Sequence, residues 1–456
     1  MKSLKSLRPP KSPKRARSPL AGSAAARPGS RARRLTTAVL TGAVATTSLV
    51  LAAPRGEATP GPTAAPAAAA TEHREVFSPD GSIRTVAVTP PKKAGLSAGS
   101  LKAAAAATVE PVEVNGPSSS KVDLVFVGDG YTSAQLDSYR GHVRSKVNEL
   151  FAVEPFKSYR SLFNIWQVNV VSRESGVDDD PSQGVRRDTA LDMNYYCGGT
   201  ARLLCVNEAK AAQYAAQAPA VDQVVALANS TTYGGAGGTA ATAAGGNAQA
   251  GQIVVHELGH SLGGLADEYD SPGRHQGGEE PEQNVSVYPQ ATMKAYQLKW
   301  YRWLGQPTPD GGTIGTFEGA KYAATGIYRP SQNSIMRTLG REFNAPSREA
   351  MIAAFYRKAG VAAKAPAVRG AAGGERLAVA PQRPDGRALT VSWRIDGRPY
   401  AHTGGSLDTA RIPAGRLAGK GPHRITATVT DPTPWVRDPE LRSRDLTRTF
   451  EWTVRR

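Results

Sequence analysis

The 456-residue sequence predicts an α/β (α+β) domain built of strand and helix layers, followed by a small β-sandwich. Two observations predict it. Between residues 119 and 365, apolar strand runs alternate with helical stretches, the pattern of layered packing. From about residue 366 the texture changes to short runs of alternating apolar and polar residues, divided by turn signals.

The N-terminus precedes both. Residues 1–34 hold eleven Lys or Arg and no acid, and residues 35–53 (LTTAVLTGAVATTSLVLAA) hold no charge. A basic flank, an apolar core and small residues at its end make an export signal, so residues 1–53 are expected to be a cleaved signal peptide and the protein to be secreted. The run is short of a good span and rich in Thr, Ala and Gly, so no stable membrane insertion is expected. The net charge of +17 is concentrated ahead of this run and not on a folded face, which argues against nucleic acid as a partner.

Residues 54–118 read as a linker with a short β-hairpin. Residues 54–70 are Pro/Ala-rich and cannot bury a core. Val76 to Val88 places an Asp80-Gly81 turn between two strand-like runs. Residues 89–118 return to linker composition.

The α/β domain, 119–365, opens with a buried-strand run at Val122–Val127 and a loop at Gly128–Tyr131. Thr132 or Ser133 caps a helix running to about Phe151. Further strands are expected at Asn164–Val171 and Val224–Ala228. Cys197 and Cys205, the only cysteines, suggest a disulfide in an exported protein. The stretch from Tyr233 to Asn247 is nearly all small residues. It reads either as a flexible loop or as a place where a substrate backbone passes close by and adds as a strand. The run Ala248–Leu258 is apolar and reads as a buried helix, ended by Gly263 and Gly264. A turn-rich stretch at 326–337 and a helix at Ser347–Lys358 complete the domain. In the C-terminal segment, 366–456, the runs Leu389–Ile395, Arg424–Val429 and Thr449–Val454 alternate, as in an immunoglobulin-like sandwich. This segment holds no candidate ligand, so it is expected to dock large substrates and to be dispensable for short ones.

His256-Glu257-Leu258-Gly259-His260 lies in the buried helix. Residues four apart share a helix face. Both imidazoles can therefore reach one zinc ion, with Glu257 beside them to handle a proton. A catalytic zinc site takes three protein ligands and leaves one position open. The third ligand is expected after the glycine turn: Asp267 is the choice, with Glu268 and His275 as alternatives. Glu257 is the expected general base. Tyr328 or Arg329 is a candidate oxyanion donor, with ordinary packing or ion pairing as the alternative role.

The zinc helix and the later turn closely resemble the bacterial zinc metallopeptidases typified by immunoglobulin A peptidase, within the metzincin-like zincins. The residues that carry the resemblance are HELGHSLGGLADEY (256–269), GIYRPSQNSIMR (326–337) and FNAPSREAM (343–351). VDLVFVGDGYT (122–132), DTAL (188–191) and CGGTARLLCV (197–206) also fit. The resemblance implies an extracellular endopeptidase with one zinc, and a Met-turn at Ser334-Ile335-Met336 beneath the metal. Metzincins place a third ligand ten residues after the first His. Here that position is Ala266, one short of Asp267, so the resemblance does not supply this ligand.

The expected function is thus a secreted zinc metalloendopeptidase acting on extracellular proteins or peptides. Two rivals are a cell-surface binding protein with a dead peptidase domain and a zinc hydrolase cutting a cell-wall cross-link. A retained Glu257 argues against the first.

Overall fold

The structure is a computed structural model and describes residues 72–89, 96–369, 374–417, 419 and 421–455. The expected signal peptide, 1–53, and the Pro/Ala stretch at 54–70 lie outside these residues. The expected hairpin is present. Strand β1 (Glu72–Phe77) pairs antiparallel with β2 (Ile83–Val88) across the Asp80-Gly81 turn. Part of the stretch expected as linker is ordered: Ala98–Ala105 forms α1 and Thr108–Glu113 forms β3. Ala-rich and Pro-containing composition hid both. Only Ala104 of α1 is buried, so neither periodicity stands out.

The main sheet is laid down by β4 (Val122–Asp129), β5 (Phe163–Asn169), β6 (Gln223–Ala228), β7 (Gly235–Ala236) and β8 (Ala240–Ala244), joined by β3. The strand order is β3-β5-β4-β6-β8-β7. The four inner strands are parallel and both edges antiparallel. Every residue of β4 is buried, since both faces of an inner parallel strand are covered. Leu124 and Phe126 join one core and Val125 and Val127 the other. Helices α2 (Leu136–Leu150) and α3 (Glu208–Ala215) cover the sheet.

β8 corrects the first of the two readings of the small-residue stretch, a flexible loop between the third strand and the helix that carries His256. Ala240-Ala241-Thr242-Ala243-Ala244 is a fully buried inner strand. Alanine is a poor strand former alone, but here neighbours on both sides supply the hydrogen bonds. The short side chains let a helix lie close on one face. That helix is α4 (Gly251–Ser261), which packs on β8 and α2. It stops at Gly263-Gly264, where Gly264 has φ +65° and the chain turns back.

Beyond α4 come α5 (Gln290–Tyr296), the antiparallel pair β9 (Phe317–Ala320) and β10 (Ala323–Arg329), and α6 (Ala345–Ala359). Asn344 caps α6, accepting from the Ser347 amide. Cys197 and Cys205 form the expected disulfide.

The C-terminal segment begins at Gly360, just past α6. It holds two antiparallel sheets. One has β11 (Ala362–Arg369), β12 (Glu375–Pro381) and a third strand at Ser406–Asp408. The other is ordered β14-β13-β16-β17, from β13 (Thr390–Ile395), β14 (Arg398–Tyr400), β16 (His423–Thr430) and β17 (Thr447–Val454), with β15 being Ser406–Asp408. A helix, α7 (Pro439–Asp445), precedes β17. Alternate residues of these strands point inward, as the sequence pattern predicts, and Trp393 stacks on Trp452. Their core is continuous with the one under α6. Among the described residues no helix is long and apolar enough to cross a membrane.

Candidate metal centre

The centre is built on α4, which is buried from Ile253 to Gly259. His256 donates from Nδ1 to the Ile335 carbonyl at 2.9 Å, and His260 from Nδ1 to the Leu265 carbonyl at 2.7 Å. A carbonyl only accepts, so each Nδ1 carries a proton, and in the neutral ring that ligates a metal each Nε2 presents a lone pair. The two Nε2 atoms face each other at 3.0 Å. Facing lone pairs repel, and a cation between them turns that repulsion into ligation.

The reversal after α4 brings a third donor back. Leu265 donates its amide to Gly259 and receives His260 on its carbonyl, so the turn and the ligand face fix each other. Two residues later Asp267 Oδ1 lies 3.3 Å from His256 Nε2 and 3.2 Å from His260 Nε2. Asp267 Oδ2 accepts from the Tyr322 hydroxyl at 2.5 Å. Oδ1 is buried with no hydrogen-bond partner among the described residues, the state of an atom reserved for a cation.

A fourth donor comes from β1. Glu75 Oε2 is 3.5 Å from His256 Nε2 and 3.7 Å from His260 Nε2, while its Oε1 accepts from Tyr269 at 2.7 Å. One donor atom from each of Glu75, His256, His260 and Asp267 lies within 4.8 Å of the others. Tetrahedral zinc with bonds of about 2.0–2.1 Å spaces its ligands roughly 3.3 Å apart. The separations of 3.0–3.7 Å bracket that value. The residues fit the ion in type, number and spacing.

The field agrees. Burial disfavours charge on His256, yet the carboxylates of Glu75 and Asp267 outweigh it and draw its pKa above the usual imidazole value. Glu257 is pushed up to about 8, first by burial and then by the charge of Glu75. Its Oε1 has no hydrogen-bond partner among the described residues, and a Cβ at Gly237 would overlap its carboxylate. Gly237 is thus required for the space Glu257 occupies. An open cleft of about 650 Å³ leads here, lined among others by Gly237, Thr239, His260 and Tyr322.

The other sequence candidates lie elsewhere. Glu268 points away from the centre and is fully buried, accepting from Ser334, Asn284 and Asn344. It ties the turn at Ser334–Met336 to the start of α6. That turn lies against α4: Ile335 holds His256, and Met336 Sδ abuts Gly259. His275 sits in a loop, 3.3 Å from Glu280. Arg329 donates to the carbonyls of Glu318 and Gly319, and neither it nor Tyr328 lines the cleft.

The sequence reading missed Glu75, Tyr269 and Tyr322. Glu75 stands one residue before the run read as a hairpin and 194 residues from its partner Tyr269, with no motif around it. Tyr322 is aimed by an uncommon turn: Lys321 and Tyr322 have φ of +44° and +63°, so the β9–β10 hairpin bends through two left-handed non-glycine residues. The Asp267 carbonyl accepts from the Lys321 amide at 3.0 Å and helps hold that turn. No local composition announces it.

The sequence profile of the family described as IgA Peptidase M64 matches residues 111–311 and 306–355. The matched span takes in β4, the motif on α4, Asp267, the turn at Ser334–Met336 and most of α6. Comparison with curated proteins finds no match.

Proposed function

The chain belongs to the IgA Peptidase M64 family, and from that premise we propose that it is a secreted zinc endopeptidase of extracellular proteins, with a metzincin-like catalytic domain and an immunoglobulin-like docking module. That it is a peptidase, and that its substrate is protein, follows from the family. The observation that carries the rest is the convergence of two facing Nε2 atoms and one Asp267 oxygen without a hydrogen-bond partner among the described residues, beside the buried Glu257.

His256, His260 and Asp267 would hold zinc. When bound, the ion supplies Lewis acidity, bringing the pKa of water to about 7 and polarising a carbonyl. Glu257 is spaced to act on the proton. Its unpartnered Oε1 accepts it from the attacking water and returns it to the departing amine. The Ile335 and Leu265 carbonyls hold the two imidazoles in the tautomer that ligation needs. The Gly235–Gly238 edge offers backbone groups to an extended peptide, which orients the scissile bond over Glu257. Secretion rests on residues 1–53 alone, and the docking role rests on the two C-terminal antiparallel sheets.

Purified protein is assayed on casein, on a peptide library and on purified cell wall, before and after chelation. Peptide hydrolysis that falls with measured zinc content and returns on adding zinc is the expected result. Full activity in metal-stripped protein sinks the reading. Release of cell-wall fragments without peptide hydrolysis would favour a cross-link hydrolase instead.

A further inference from the structure

A catalytic zinc site leaves one coordination position for water or substrate, whereas a site with four protein ligands is closed. Here a fourth donor stands beside the three. Glu75 Oε2 lies 3.5 Å from His256 Nε2 and 3.7 Å from His260 Nε2, and within 4.8 Å of the Asp267 donor. Glu75 is no part of the α4 motif and lies outside the family match, on a hairpin that precedes the catalytic domain.

The rest of the hairpin is fitted to the same cleft. β1 runs against β7, the edge expected to receive a substrate strand. Arg74 donates from Nη1 to the Gly237 carbonyl at 2.5 Å, so it uses a backbone group that a peptide would use. Tyr269 donates to Glu75 Oε1 and shares its hydroxyl with Thr85 of β2 at 3.1 Å. Phe77 sets its ring edge against His256, and Arg202 donates to the Phe77 carbonyl at 2.8 Å. The turn is pinned as well, the Leu339 amide donating to Gly81 at 2.9 Å. Strand, carboxylate and turn all dock on residues of the catalytic face.

We propose that the β1–β2 hairpin is a built-in inhibitor: Glu75 is the fourth metal ligand, and β1 lies in the lane of the substrate strand, so the full chain hydrolyses peptides only weakly until β1 leaves. The proposal rests on the zinc site proposed above and deepens it. Departure of Glu75 would also release the Tyr269 hydroxyl that now donates to it.

The test compares the full chain with Glu75→Ala and with Glu75→Gln, which preserves shape and the acceptor for Tyr269. Each is loaded with cobalt(II) for its absorption spectrum, and with zinc for chelator extraction and hydrolysis of a short peptide. A closed site has no coordinated water to titrate. The wild-type cobalt spectrum should therefore be flat between pH 6 and 9, while both variants show a pH-dependent change. Zinc should leave the variants at least tenfold faster, and peptide turnover should rise at least tenfold. Adding Glu257→Ala to Glu75→Gln should abolish the gained turnover and keep the variant spectrum. Identical cobalt spectra and zinc extraction in all three proteins would overturn the proposal while leaving the zinc site intact. So would loss of turnover in both variants with the altered spectrum, for Glu75 would then serve catalysis. Failure of every form to take up metal would overturn both this proposal and the zinc site beneath it.

Discussion

Asp267 and Glu268 are adjacent carboxylates, both buried, with opposite surroundings. Asp267 offers an unpartnered oxygen to the two imidazoles, whereas Glu268 accepts from Ser334, Asn284 and Asn344. Their alanine variants should therefore fail differently. Asp267→Ala removes a proposed ligand and few supports, so zinc affinity should fall by more than the roughly 10–100-fold typical of losing an outer partner. Glu268→Ala orphans buried donors at about 1–3 kcal/mol each, so its denaturation midpoint should drop sharply. Competition titration with a chelator and urea unfolding separate the two, and the reverse pattern would exchange the roles. Glu257→Ala should keep the zinc content of wild type and lose roughly 10²–10⁴ in kcat, as a proton carrier would. Metal loss in that variant contradicts the role. The imidazoles and Glu257 were legible because spacing on one helix carries their chemistry. Asp267 needed only a reversal, announced by Gly263-Gly264. Glu75 and Tyr322 were not legible, because long-range hairpin docking and a left-handed turn place them.

β8 shows where local composition misleads. Read alone, its alanines and the glycines around it suggest a loop, but between β6 and β7 they make an inner strand. The apolar run of β4 was readable because it is buried on both faces. β3 was not, because its burial is partial and it contains Pro111. Small side chains in β8 set the height of α4 above the sheet, and through it the position of His256. Ala243 is fully buried in the core that also holds Ile253 and Val254. Ala243→Leu should cost about 1–3 kcal/mol by overpacking. Because the added bulk pushes on α4, zinc affinity should fall as well. A thermal melt of the apo and zinc-loaded variant tests this, with a smaller zinc-induced rise in Tm than in wild type as the expected result. A destabilised variant with the full zinc-induced rise would show that the sheet does not set the ligand geometry.

The alternating strands after residue 366 were legible, but their attachment was not, since contacts between distant segments leave no local pattern. The sequence alone suggested a module that short-peptide hydrolysis could do without. The structure joins it to the catalytic domain through one hydrophobic core, running from Phe355 under α6 to Trp393 and Val429. Buried polar ties cross the same junction. Asp431 accepts from the hydroxyls of Tyr159 at 2.9 Å and Tyr356 at 2.8 Å. Glu349 of α6 accepts from the amides of Arg437 and Asp438, and Lys121 donates to Gln382 at 2.8 Å. Removing residues 362–456 would bare an apolar face and strand these groups. The truncated chain should therefore be insoluble or lose cooperative unfolding, even though no proposed ligand is removed. A point change isolates the cause. Asp431→Ala leaves two buried hydroxyls without an acceptor, at about 1–3 kcal/mol each. It should lower stability in urea while leaving kcat/KM on a short peptide unchanged per folded molecule. If the truncated chain instead stays soluble, binds zinc and cleaves short peptides as well as the full chain, the shared core is not needed for folding. The C-terminal sheets would then serve docking alone.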